Sequence, residues 1–142
     1  MELIRADHWA VITIRGEADG ESFEGKVAVA RVIRNRMAFR YSSNGTVAGT
    51  VLAPLQFSVW NAKDSPKRAD WANSEAEDPR TADAIRAWEM SKFYVGVKDA
   101  VLYHNPKTAP NPSWKAAARF IVQIGNHAFY EDPMLDHHKE QS

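Results

Sequence analysis

The chain contains no cysteine. Disulfide staples and thiolate metal sites are therefore excluded. It has no surplus of either charge, with 18 lysines and arginines against 18 aspartates and glutamates. A nucleic-acid binder normally carries a basic excess, so that class is disfavoured. No apolar run approaches the roughly 18 residues of a membrane-crossing helix, and no membrane partner is expected. The opening MELIRADHWAVITIRGE lacks a basic stretch followed by an uninterrupted apolar one, so it does not read as a secretory signal. Internal repeats and long linkers are missing as well. The GxSxG nucleophile elbow, the GxxxxGK[ST] and GxGxxG phosphate loops and the HExxH zinc pair do not occur. His8, His104, His127, His137 and His138 are scattered without ligand spacing, and neither a metal nor another cofactor is expected.

What is present is an ordinary globular composition, 44% hydrophobic and 25% charged over 142 residues. That length suits one domain, here expected over residues 1–133, with a polar tail over 134–142. Glu2 to Arg15 reads as a helix, broken by Gly16 and Gly20 around Glu17 and Glu21. A second helix is predicted from about Ser22, a suitable N-cap, to Met37. Val29, Ala30, Ile33 and Met37 share one face, and Val27, Ala28 and Val32 make most of the remainder apolar, so this helix should be central. Phe39 to Gly45 reads as a loop and Thr46 to Ala53 as a short helix. A third long helix is predicted from Pro79 to about Tyr94. Ala100 to His104 reads as a strand and Asn105 to Ser113, with three prolines, as an irregular loop. Phe120 to Ile124 and His127 to Tyr130 flank Gly125-Asn126, the signal of a tight hairpin. Helices first and a small antiparallel sheet afterwards define an α+β fold.

Two groups of residues could carry chemistry. Glu17 falls where the first helix should end. The carboxyl end of a helix carries partial negative charge and a cleft withholds water, and both favour the protonated carboxyl that a general acid needs. From position alone, an exposed glutamate in a turn is the commoner outcome. Glu21, four residues on, could be a second carboxylate for glycoside hydrolysis, with Cβ atoms about 6 Å apart if the segment were helical. A place in the first turn of the second helix, where the dipole favours an anion, is the stronger reading of Glu21. The second group is aromatic: Phe57, Trp60, Trp71, Tyr103 and Trp114 lie in or beside predicted loops. Sugar rings stack on such side chains, and Gln56, Ser58, Asn61 and Asn105 could bind hydroxyls. Core packing is the competing role for the aromatics.

Three blocks together resemble the SleB-type cell wall hydrolases, the family named for a spore cortex-lytic enzyme. They are GEADGESFEGKVAVARVIRNRM, TVAGTVLAPLQFSVWN, and the stretch from VLYHNP through PSWKAAARFIVQIGNHAFY, spanning roughly residues 16–130. Asp19 stands where the family usually has a basic residue, and Ala62-Lys63 where a proline-glycine pair is common. The resemblance implies a lysozyme-like fold, action on peptidoglycan glycan strands and Glu17 as the essential acid. It places Gln56, Ser58 and Tyr103 near substrate, with Trp60, Asn61, His104 and Trp114 as further substrate-binding candidates. The expected reaction cleaves the bond between N-acetylmuramic acid and N-acetylglucosamine, as a lytic transglycosylase acting as a monomer. The alternatives are a muramidase using water, a metal-dependent amidase, or a wall-binding or virion module without activity. Synthesis in the cytoplasm and release to the wall through a phage-type membrane pore is the expected context.

Overall fold

The central element is the helix that carries the Val27–Ile33 apolar run. The computed structural model describes residues 5–52 and 78–135, and there the helix α2 runs over Phe23–Phe39. Ser22 caps its start, its hydroxyl accepting from the Gly25 N–H at 3.2 Å. Arg40, at φ 54°, closes its end with its N–H on the Arg36 and Met37 carbonyls. Around it lie α1 (Arg5–Ala18), α3 (Val47–Val51, capped by Thr46) and α4 (Pro79–Met90, capped by Asp78). The last part of the chain supplies three antiparallel strands, β1 (Leu102–His104), β2 (Arg119–Ile124) and β3 (His127–Glu131), in the order β1-β3-β2. The α+β class expected from the sequence is the one observed.

Three apolar clusters hold these elements. Ala10, Val11 and Ile14 of α1 meet Ala30 and Ile33 of α2, Val47 and Val51 of α3, and Ala84, Ile85 and Trp88 of α4. Ala28, Val29 and Val32, on another side of α2, pack with Ala18, Val97, Ala100 and Phe129 of the sheet. Val101, Leu102, Ala128, Tyr130 and Leu135 form the third cluster. Each fully buried side chain of the size of Phe129 or Ile33 contributes about 1.5–3 kcal/mol relative to exposure.

Polar residues of α2 anchor the segment that leaves α4. The Arg34 guanidinium lies 3.7 Å over the Trp88 ring and donates to the Trp88 carbonyl (2.7 Å) and the Ser91 hydroxyl (2.6 Å). Arg31 donates to the Ser91 and Lys92 carbonyls at 3.0 and 2.9 Å. Carbonyls that a helix end leaves without internal partners are satisfied in this way. Asn35 donates to Lys98 O and Ala100 O, and Arg36 Nε to Val101 O at 2.6 Å. The chain entering β1 is thereby tied to α2.

Most boundaries move by one or two residues, and three of the shifts have a cause in the packing. α1 continues through Gly16 to Ala18, because burial of Ala18 against the second cluster outweighs the roughly 1 kcal/mol that a helical glycine costs. β1 begins at Leu102 rather than Ala100, since Ala100 O and Val101 O accept from α2 side chains. α4 ends at Met90 in a 3-10 turn, Ser91–Phe93, where Arg31 and Arg34 draw off the carbonyls. Of the tail expected over 134–142, Met134 is exposed and Leu135 is buried in the third cluster, while residues 136–142, like Ala53 and residues 2–4 of the first expected helix, lie outside the described residues.

Candidate active site

Glu17 occupies the last turn of α1 and is half-buried. The fold brings Tyr103 of β1 to it: the Tyr103 hydroxyl donates to Glu17 Oε1 at 3.0 Å. Desolvation pushes the Tyr103 hydroxyl well above its ordinary value, and the adjacent Glu17 adds to this. The phenol therefore stays protonated and remains a donor throughout the neutral range. Tyr103 packs against Phe129 (ring centroids 5.6 Å) and meets the His127 ring edge-on at 4.9 Å. Burial lowers the His127 imidazole below its ordinary 6.5, against an upward pull from Glu21. The neutral ring is favoured there, and its Nδ1 has no hydrogen-bond partner.

A cation lies behind this pair. Burial pushes the Arg36 guanidinium below its ordinary value, and Tyr103, Tyr41 and Glu17 oppose the shift. An arginine stays charged through such a shift. Its burial on α2 marks it, since a buried charge needs partners. Sequence reasoning missed Arg36, His127 and Asn126.

The strand alternation separates the other candidates. Leu102 and His104 project from the sheet face opposite Tyr103. His104 Nδ1 lies 2.6 Å from the Ala109 carbonyl, so it donates, and its Nε2 accepts from the Tyr130 hydroxyl at 3.1 Å. Trp114 stands edge-on to both His104 and Tyr130, with centroids 5.5 and 5.1 Å away, in the third cluster. His104 and Trp114 thus belong to a packed network across the sheet from Glu17. Asn105 accepts from the Lys107 N–H and shapes its own turn. Glu21 faces Asn126 of the hairpin turn, and Asp19 pairs with Arg80 at 3.8 Å. Gln56, Ser58, Trp60 and Asn61 lie outside the described residues, as do Phe57 and Trp71. Among the described residues no cluster of His, Asp and Glu could hold a metal ion, and no helix is long and apolar enough to cross a membrane. A mainly apolar hollow of about 290 Å³ between the start of α2 and the end of α4 is lined by Phe23, Glu24, Val27, Met90, Phe93 and Tyr94, and by neither Glu17 nor Tyr103.

Helices around a central α2, a three-stranded sheet, and a glutamate at a helix end under a strand tyrosine define a class, and comparison with known proteins gives it a family. The family model described as Cell Wall Hydrolase matches residues 20–130, and the chain belongs to that family. The matched span begins just after Glu17. The spore cortex-lytic enzyme of Bacillus subtilis (strain 168) is 36% identical over 118 residues, 83% of this chain and 35% of the relative. That of Oceanobacillus iheyensis is 35% identical over 116 residues, 82% of this chain and 38% of the relative. The chain thus spans little more than a third of the length of these relatives. Among solved structures, the catalytic domain of the germination-specific lytic transglycosylase SleB from Bacillus anthracis superposes with a TM-score of 0.69 at 25% identity, covering 91% of this chain and 97% of that one. The catalytic domain of the Bacillus cereus SleB protein gives 0.67 at 25% identity, over 92% and 93% of the two chains.

Proposed function

We propose that the chain cleaves peptidoglycan glycan strands between N-acetylmuramic acid and N-acetylglucosamine, as a lytic transglycosylase with Glu17 as acid and then base. The observation that carries this reading is the Tyr103 hydroxyl on Glu17 Oε1, which fixes a half-buried carboxyl at a helix end. Membership of the cell wall hydrolase family and the likeness to a structure titled as a lytic transglycosylase domain support it.

In the proposed reaction, protonated Glu17 gives its proton to the glycosidic oxygen, and the bond to muramic C1 breaks through an oxocarbenium-like state. The Glu17 carboxylate then takes the proton of the muramic 6-hydroxyl, whose oxygen bonds to C1 and closes the anhydro ring. No water is consumed, and Glu17 ends protonated as it began. One carboxylate suffices, because the nucleophile is already part of the substrate. The carboxylates nearest to Glu17 in sequence favour this route over hydrolysis, since Asp19 faces Arg80 and Glu21 faces Asn126. Retained glycoside hydrolysis would instead need a second carboxyl about 5–5.5 Å away.

Mass spectrometry of digested peptidoglycan tests the route. Muropeptides ending in the anhydro sugar, lighter by one water than the reducing products, are expected. Reducing ends alone would reject the transglycosylase in favour of hydrolysis.

A further inference from the structure

Glu21 is a carboxylate close in sequence to the proposed acid that is turned away from it. Its backbone N–H donates to Ala18 O at 3.0 Å, in the turn that leaves the helix of Glu17. Its side chain is 7% exposed, and both oxygens are taken by one residue of the β2–β3 turn. Oε1 accepts from the Asn126 backbone N–H at 2.9 Å, and Oε2 from the Asn126 side-chain amide at 2.8 Å. Two glycines make the seat. A Cβ on Gly125, whose φ is +58°, would lie 2.5 Å from Oε1, and a Cβ on Gly25 of α2 would lie 2.9 Å from the Glu21 Cβ. The next hairpin residue completes the path. His127 Nδ1 is 3.8 Å from Glu21 Oε1, and the same ring meets Tyr103, which holds Glu17.

We infer that Glu21 is a positioning residue: it latches the hairpin turn to the α1–α2 turn and so keeps His127 and Tyr103 in register against Glu17. The inference rests on the reading of Glu17 as the acid. What the latch needs is acceptor oxygens, not a transferable proton. Glutamine at position 21 can still accept from the Asn126 N–H, and the Asn126 amide, rotated by half a turn, can accept from its NH2. A carboxylate that moves protons cannot be replaced in this way.

The test compares E21Q, E21A, N126D and the double variant E21Q/N126D with the parent on solubilised glycan strands. E21Q is expected to stay within about threefold of the parent kcat. E21A loses the latch, and N126D sets two carboxylates against each other. Both should lower kcat about ten- to a hundredfold at nearly constant KM, as a displaced catalytic geometry does. In E21Q/N126D the glutamine NH2 donates to the new carboxylate, and kcat should recover to within about fivefold of the parent. This recovery also decides the matter if E21A fails to fold. The latch is overturned if E21Q is as inactive as Glu17→Gln, if E21A and N126D keep the parent kcat, or if the double variant is no better than N126D. Should the parent itself cleave nothing, the reading of Glu17 fails, and the latch is judged by amide hydrogen exchange at Asn126. About tenfold faster exchange in E21A upholds it, and unchanged exchange overturns it.

Discussion

A tyrosine hydroxyl that cannot ionise near neutrality is a fixed donor, and Tyr103 spends that donor on Glu17. Replacing it by phenylalanine keeps the ring against Phe129 and removes only the bond. Loss of one oriented donor at a reacting carboxyl predicts a fall in kcat of about a hundredfold, with little change in KM. Steady-state kinetics on glycan strands, with far-UV circular dichroism to show an unchanged fold, checks this; an undiminished kcat would deprive the hydroxyl of its role. At this scale the sequence was partly legible. Glu17 could be placed at a helix end, and Tyr103 came from the resemblance of the YH strand. Arg36 was harder to read, because its bond to Val101 O joins positions far apart in the chain, and helical spacing says nothing of such pairs.

The hairpin carries a histidine whose burial links its stability to pH. Gly125-Asn126 announced its turn, and Gly125 does adopt φ +58°. The facing of β1 was not legible, since a three-residue strand has no long alternation to fix which of Tyr103 and His104 points at the helices. On β3, His127 is held neutral by burial, with a folded value below the unfolded 6.5. The unfolded chain therefore binds the proton first. Stability from this group is complete above 6.5 and is lost as pH falls from there through the lower folded value. The thermal midpoint should drop over that window, and drop less in His127→Phe. That variant loses no Nδ1 hydrogen bond, because the atom has none. Parallel slopes for the two proteins would refute the assignment.

For the molecule as a whole, α2 is the organiser. Its apolar sides gather α1, α3, α4 and Phe129, and Asn35 and Arg36 draw residues 98–101 against it. The near-continuous apolar circumference in VAVARVI made its central place legible. The separation of the aromatics into two environments was not, because only the pairing of β1 with β3 sends Tyr103 towards Glu17 and His104 towards Trp114. All of this structure converges on one carboxyl, and the direct measurement is clearance of a peptidoglycan suspension by the parent and by Glu17→Gln at equal concentration, with matching circular dichroism. Loss of a general acid is worth about a hundred- to ten-thousandfold, so clearance by the variant should fall at least a hundredfold. Equal rates from the two folded proteins would contradict the role of Glu17 as the acid.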